Sequence, residues 1–152
     1  MSKLHPSALD AHLGFWLRFV SNHVSSRFQA LLAEQACSVT EWVALRCLYE
    51  RPQTTHAELI QALGMTKGAT SKLISRLEAK GLALRGLAEG GQREQVVTLT
   101  RQGRAQVPRL AALADANDAH FFAHLDARTH TALRDVLRDL VAYHHLPAPP
   151  LD

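Results

Sequence analysis

The chain contains little of what characterises secreted, membrane or redox-active proteins. Its 152 residues include two cysteines, Cys37 and Cys47, which are too few for a disulfide framework. No apolar run approaches the ~18 to 20 residues that cross a bilayer, and the first residues include no apolar segment of a secretory signal. With 47% hydrophobic and 20% charged residues, the chain can form one well-packed domain. We therefore expect a soluble, cytoplasmic protein.

The sequence contains no recognisable set of catalytic residues and only weak candidates for a metal or redox site. No nucleophile stands with a matching general base, so we expect no enzyme and no cofactor. His120 and His124 have the i,i+4 spacing by which one helix face can supply two metal ligands. No Glu follows His120, as a zinc hydrolase motif requires, so a chance pair is the simpler interpretation. A thiol sensor at Cys37 or Cys47 is likewise less common than a reduced cysteine packed in a helix.

The most informative segment is THAELIQALGMTKGATSKLISRLEAKGL, residues 55–82. Thr55 and Glu58 form a capping box at the start of one helix, and Gly64 ends that helix. Thr66 is suited to cap a second helix directly afterwards. Two short helices joined by a tight turn are typical of a helix-turn-helix, whose second helix enters the major groove of DNA.

The second helix has an apolar side centred on Leu73 and Leu77 and an opposite polar side. Small side chains allow close approach to phosphates, hydroxyls bond phosphates or base edges, and cations neutralise the DNA backbone. A solvated helix face can have the same composition, so this face alone does not decide the function. The residues predicted to contact DNA from this helix are Thr66, Lys67, Gly68, Ser71, Lys72, Ser75 and Arg76.

A glycine-rich β-hairpin follows, with alternating β-branched residues in its second arm. Gly90 and Gly91 supply the positive φ that a hairpin tip needs. Arg85 and Arg93 flank the tip, where a wing can lay arginines along the DNA backbone or into the minor groove. Residues 51–104 hold nine Lys and Arg against four Glu, whereas the whole chain has a net charge of only +3. Positive charge is therefore concentrated on the unit predicted to contact DNA.

These motifs together resemble the MarR family of transcriptional regulators. The resemblance rests on the helix-turn-helix segment, on TEWVALRCLYE at residues 40–50, and on the spacing from Arg85 to an RxxxVxLT motif that begins at Arg93 and is followed by Gly103. It implies a mainly α fold with a small β-hairpin wing. In that fold, long N- and C-terminal dimerisation helices flank the winged helix-turn-helix.

The sequence departs from the family pattern at three acidic positions. The family usually carries acids in the wing where this chain has Ala88 and Gly91, and often one in the recognition helix where Ser75 stands. Those acids help to brace the wing. We therefore expect a looser wing here, in which Arg93 lacks its usual neighbour.

The two ends of the chain read as long helices with wide apolar faces, and such faces must be buried. We therefore interpret the chain as one continuous domain with two regions. Residues 1–36 and 101–152 form a helical dimerisation region, and residues 37–100 form a winged helix-turn-helix region. The helices could fold onto each other within one chain. The resemblance implies instead an intertwined homodimer, which would present two recognition helices to a pseudo-palindromic site on double-stranded DNA.

A stripe of aromatic and imidazole side chains runs along the first helix, through His12, Trp16, Phe19 and His23. Apolar walls with a few polar anchors suit a small aromatic or phenolic ligand. The simpler interpretation is a dimer core rimmed by histidines. The resemblance implies a small-molecule pocket in this neighbourhood, and the candidate effector-binding residues are His12, Trp16 and His23.

The sequence therefore predicts a homodimeric transcriptional repressor that a small effector releases from a pseudo-palindromic operator. Two alternatives remain open. One is a winged-helix module that binds a protein instead of DNA, and the less favoured one is a His-dependent metalloprotein around His120 and His124.

Overall fold

The computed structural model describes residues 5–90 and 94–147, which form six α-helices and three short strands. None of the helices in these ranges is long and apolar enough to span a membrane. In chain order, after a 3-10 turn at Leu9–Ala11, the elements are α1 (Leu13–Ala33), α2 (Val39–Glu50), β1 (Thr54–Thr55), α3 (His56–Leu63), α4 (Lys67–Ala79), β2 (Ala83–Leu87), β3 (Gln95–Leu99), α5 (Arg101–Phe122) and α6 (Ala127–Tyr143).

The helix-turn-helix forms through the caps that its sequence predicts. The Thr55 backbone N–H donates to Glu58 Oε2 over 2.9 Å, and the Glu58 N–H donates to Thr55 Oγ1 over 3.1 Å. Gly64 ends α3 with a φ of 63°, a left-handed conformation that favours glycine. The Thr66 hydroxyl then accepts from the Ala69 N–H and starts α4. The predicted capping box and the predicted turn are both confirmed.

The wing is part of a three-stranded antiparallel sheet in the order β1-β3-β2. The predicted hairpin pairs Arg85 with Val97, and Val97 on its other side pairs with Thr54 of β1. The two residues of β1 are too few to show a strand pattern, which is why the sequence predicts only the hairpin. Gly90 at the tip has a φ of 102°, whereas Gly91 and Arg93 lie outside the described residues.

One apolar core holds the winged unit together and attaches α5 to it. Leucines of α2, α3 and α4 form its centre, and Val107 and Leu110 of α5 are buried in the same cluster. The first turn of α5 packs directly on backbone, because a Cβ at Gly103 would lie 2.0 Å from the Leu82 carbonyl oxygen. The orientation of α5 against the wing is therefore set by a contact that only glycine allows.

The apolar faces of α1 and α6 stay open in the single chain. Among the described residues α6 has no buried side chain, although Val136 and Val141 lie on it, and Leu13 of α1 is 73% exposed. A buried polar contact joins α1 to α5, where Asn117 Nδ2 donates to the Val24 carbonyl and Arg27 Nη1 donates to Asn117 Oδ1.

Candidate nucleic-acid interface

The recognition helix α4 is held by its apolar side and presents its polar side to solvent. Thr70, Leu73, Ile74 and Leu77 are buried. Because the buried positions recur at helical spacing, the opposite side of the cylinder is free along most of its length. The predicted DNA-contacting residues that are exposed are Thr66, Lys67, Gly68, Lys72, Ser75 and Arg76, and Ser71 is half-buried.

The start of α4 is unusually open. A Cβ at Gly68 would meet nothing within 4 Å, so packing within this chain does not require a glycine there. Lys67 beside it is exposed and its charge lies at the N-terminal end of the helix, where backbone N–H groups already favour anions. Because Gly68 has no side chain, a phosphate could approach this end of the helix closely.

The side chain of Arg85 points in a different direction from the one that the sequence predicts. Its guanidinium turns back from β2 onto α4, where Nη2 donates to the Ser71 carbonyl over 2.8 Å and to Ser71 Oγ over 3.1 Å. Nη1 donates to Ser75 Oγ over 3.2 Å and also bonds the Glu78 carboxylate. The side chain is only 26% exposed. Arg85 therefore joins the wing to the recognition helix instead of pointing along the wing toward DNA.

Glu78 is the acid that sequence reasoning did not use. It is half-buried in the last turns of α4 and pairs with Arg85 across the turn that leads into β2. In this chain, the acid that contacts the wing from α4 thus lies three residues after Ser75. The expectation of a looser wing does not take the Arg85–Glu78 ion pair into account. The sequence feature that could have predicted this pair is the position of Glu78 and Arg85 on either side of a glycine turn.

A second carboxylate, Glu41, fixes the far end of α4. Glu41 is 4% exposed and completes the capping box at the start of α2 with Ser38. Lys80 Nζ donates to Glu41 Oε2 over 2.7 Å, and Arg76 Nε lies 3.6 Å from Glu41 Oε1. Arg76, one of the predicted DNA contacts, is therefore partly committed to an internal ion pair.

His56 is a further residue that sequence reasoning overlooked. It begins α3 and is half-buried, and its Nε2 atom has no hydrogen-bond partner among the described residues. Burial and the positive charges of Arg85 and Lys67 lower the pKa of His56 below its ordinary value of 6.5. His56 therefore stays neutral at neutral pH and adds no cation beside the recognition helix.

The predicted effector residues lie on the open surface of α1 and on the turn before it. Trp16 is 49% exposed, and its indole N–H donates to the Asp10 carbonyl over 2.9 Å. The rings of Phe19 and His23 are 4.8 Å apart, and His12 immediately precedes the helix. The single chain places these side chains along one exposed stripe and does not enclose them.

Grooves also occur elsewhere in the described chain. One, of about 600 Å³, lies between α5 and α6 and is lined by Phe122, Leu133 and Leu137 among others. Another, of about 590 Å³, lies at the corner of α1 and α2 and includes Cys37 and Lys80. Both are open to solvent.

The cysteines and histidines considered as redox or metal sites do not come together in one site in the described part of the chain. Burial raises the pKa of the Cys37 thiol to about 11, and burial also raises that of Cys47. Such thiols are mostly protonated at neutral pH and react slowly. His120 lies in α5 and His124 in the turn after it, and the described ranges contain no group of three or more His, Cys, Asp or Glu able to hold a metal ion.

Known proteins are similar to this chain in both sequence and fold. The profile of the MarR family matches residues 37–86, which include α2 to α4 and most of β2. The HTH-type transcriptional repressor Rv2887 of Mycobacterium tuberculosis is 30% identical over 131 residues, which cover 86% of this chain and 94% of that protein. The chain belongs to the MarR family. It is a transcriptional regulator of the MarR type, as the resemblance implies, and its winged helix-turn-helix fold is confirmed.

Solved structures of MarR-family proteins superpose along most of the chain. The structure of Rv2887 has a TM-score of 0.67 and covers 86% of this chain and 95% of its own. BpsR of Bordetella bronchiseptica has a TM-score of 0.75 at 22% identity, covering 90% and 97%. CouR of Rhodococcus jostii has 0.73 at 22%, covering 89% and 95%. At 22% identity the last two similarities concern the fold alone.

Proposed function

We propose that this MarR-family regulator binds a pseudo-palindromic operator as a homodimer and represses transcription until a small aromatic effector releases it. The observation that carries the proposal is the polar face of α4, which is exposed, basic and rich in small and hydroxylated side chains. The relative Rv2887 is described as a transcriptional repressor. We assign residues 37–100 to DNA binding and residues 1–36 and 101–152 to dimerisation.

Within the DNA-binding region, we assign the helix to the major groove and the wing tip to the flanking backbone. Lys67 and Lys72 are exposed and have no carboxylate within 4.0 Å among the described residues, so their charges are available to phosphates. Arg93 is proposed as the wing contact, outside the described residues. Arg85 is assigned to positioning. The residues proposed for the major groove and its edges are Thr66, Lys67, Gly68, Ser71, Lys72, Ser75 and Arg76.

The DNA assignment is tested with the duplex upstream of the protein's own gene, titrated by gel shift across a salt series. Lys72→Ala should reduce the slope of log affinity against log salt by about 1 per protomer phosphate contact. Arg76→Ala should reduce it less, because that guanidinium lies 3.6 Å from Glu41. A wild-type protein without any salt-dependent duplex affinity would favour the alternative, a winged-helix module that binds protein.

The homodimer is proposed from the open apolar faces of α1 and α6. Leu137 is 41% and Val20 is 44% exposed in the single chain, and each lies in a row of similar side chains. Charge at the centre of such a face opposes burial. Leu137→Asp should therefore yield monomers in sedimentation, whereas Leu84→Asp, at a leucine on β2 that is 56% exposed, should leave the dimer intact. A soluble wild-type monomer at micromolar concentration would refute the proposal.

The effector is proposed to be a planar aromatic anion bound against the stripe of His12, Trp16 and His23. Indole and imidazole rings supply apolar walls and polar edges for such a molecule. Among the structural neighbours, CouR is bound to p-coumaroyl-CoA, and 6-hydroxynicotinic acid regulates DNA binding by BpsR. Salicylate should dissociate the wild-type complex with DNA, and Trp16→Leu should weaken this response. An unchanged response in Trp16→Leu would place the pocket elsewhere.

A further inference from the structure

We infer that Arg85 fixes the hydroxyls of Ser71 and Ser75 as hydrogen-bond donors toward DNA. This inference rests on the proposed function, because it concerns how the recognition helix would read bases. The consequence is a rule for the operator. Positions that face these two serines should present an acceptor, such as a purine N7, guanine O6 or thymine O4, and should exclude the amino group of cytosine.

The geometry that carries the inference is the position of one guanidinium behind two serines. Ser71 and Ser75 are four residues apart, so their side chains lie on the same side of α4. Arg85 Nη2 donates to Ser71 Oγ over 3.1 Å and Nη1 donates to Ser75 Oγ over 3.2 Å. Ser75 is exposed and Ser71 half-buried. Both hydroxyls are thus held from the protein side by one guanidinium, on residues that are exposed or partly exposed to solvent.

The numbers of hydrogen-bond donors and acceptors then decide whether the two serine hydroxyls donate or accept. Arginine has donors only, so each serine oxygen must accept from it, and each hydroxyl keeps one hydrogen to donate. Within residues 5–90 and 94–147 neither hydroxyl donates to another group, since the bonds from Arg85 are their only hydrogen bonds there. An oxygen that accepts from a cation is also polarised, which strengthens its hydrogen as a donor and opposes the approach of a second donor.

Glu78 makes the arrangement durable. Its carboxylate bonds the same Nη1 atom that reaches Ser75, and its other oxygen accepts from the Arg85 backbone N–H over 3.4 Å. The Ser71 carbonyl accepts from Nη2 over 2.8 Å. With its position set by Glu78 and a backbone carbonyl, the guanidinium does not depend on the serine hydroxyls for its place. The serines can therefore turn their hydrogens outward at no cost to the brace.

The first experiment selects duplexes from a randomised library with the full-length protein and with four variants. Wild type and Ser75→Thr, which keeps the hydroxyl, should both deplete cytosine at the contacted positions. Ser75→Ala should lose that depletion at one position. Arg85→Met should lose it at two positions, because freed hydroxyls can accept from cytosine. The double variant Arg85→Met/Glu78→Met should behave like Arg85→Met, which controls for the carboxylate left unpaired by the single change.

The second experiment removes the acceptor atom itself. In a selected duplex, 7-deazapurines, which lack N7, replace each contacted purine in turn. Wild type should lose about 2- to 10-fold in affinity, the value of one neutral hydrogen bond, whereas Ser75→Ala should not respond at its own position. Thermal unfolding of every variant shows whether the fold is retained.

The outcomes separate the two levels of the argument. If wild type selects no sequence at any salt concentration, the proposed function fails and this inference fails with it. If wild type selects a defined sequence but tolerates cytosine opposite the serines, the inference alone is wrong. The same holds if Arg85→Met keeps the cytosine depletion of wild type, because Arg85 would then be a structural brace without influence on base readout.

Discussion

Gly103 and Gly68 offer a matched pair of substitutions with opposite expected effects. Both glycines lie in the first turn of a helix, Gly103 in α5 and Gly68 in α4. A Cβ at Gly103 would lie 2.0 Å from the Leu82 carbonyl oxygen and 2.9 Å from its carbon, whereas a Cβ at Gly68 would have no atom within 4 Å. Gly103→Ala should therefore destabilise the protein, and Gly68→Ala should leave the fold intact.

The magnitude at Gly103 follows from how little the surroundings can move. Ordinary contact needs 3.4 Å, so α5 would have to shift by about 1.4 Å relative to Leu82. That shift is opposed by two hydrogen bonds, from the Thr100 N–H to the Leu82 carbonyl at 3.0 Å and from the Thr100 hydroxyl to the Gly81 carbonyl at 2.6 Å. Overpacking against backbone should cost about 3 kcal/mol, and alanine returns about 1 kcal/mol of helix propensity. The net loss of about 2 kcal/mol corresponds to a fall in Tm of ~4 to 8 °C.

The assay combines thermal unfolding with duplex binding. Gly103→Ala should lower Tm at a fixed protein concentration. Gly68→Ala should keep Tm or raise it by ~1 to 4 °C, the most that ~1 kcal/mol of propensity allows. It should also weaken duplex affinity, because a methyl group would stand at the open start of the recognition helix. An unchanged or higher Tm in Gly103→Ala would refute the argument that this contact sets the position of α5.

Three further outcomes are expected from buried polar groups. Glu41→Gln should destabilise the fold by about 1 to 2 kcal/mol in urea unfolding, because Lys80 loses a buried partner, whereas Glu50→Gln, in an exposed pair with Arg46, should change it by less than ~0.5 kcal/mol. Asn117→Ala should cost about 1 to 3 kcal/mol in the same assay, since the Val24 carbonyl loses its Asn117 donor. For Cys37, whose pKa is raised from 9.0 to about 11, the folded state keeps a proton that the unfolded chain releases, so stability should fall as pH rises from 9 to 11. Iodoacetamide at pH 8 should label Cys37 much more slowly in the folded protein than in urea, and equal rates would contradict the burial.

The sequence predicts well those features that depend on neighbours along the chain. The capping box of Thr55 and Glu58, the turn at Gly64 and the cap at Thr66 all involve residues within four positions of each other. Because these interactions are local, the motifs that produce them can be recognised in the sequence. The same is true of the apolar side of α4, because helical periodicity alone decides which positions can be buried together.

Long-range polar contacts were not predictable in this way. Lys80 reaches Glu41 from 39 positions away, and Asn117 reaches Val24 across 93. Nothing in the spacing of these residues marks them as partners, since the packing of whole helices brings them together. Arg85 shows the intermediate case. Its charge was recognised, but the direction of its side chain depends on Glu78, on the other side of a turn.

Counting charges along the sequence therefore overstates what this protein can offer to DNA. The excess of Lys and Arg over Glu in residues 51–104 already subtracts Glu58 and Glu78, but it omits Glu41, which lies outside that range and pairs with cations inside it. In the fold, the cations of the C-terminal half of α4 and of the strand after it form ion pairs with carboxylates of the same chain. Lys67 and Lys72 in the N-terminal half have no such partner among the described residues. Phosphate attraction should thus be concentrated at the N-terminal half of the recognition helix, with base readout and positioning further along it. The pairs that withdraw charge from the interface are Arg51 with Glu58, Arg76 and Lys80 with Glu41, and Arg85 with Glu78.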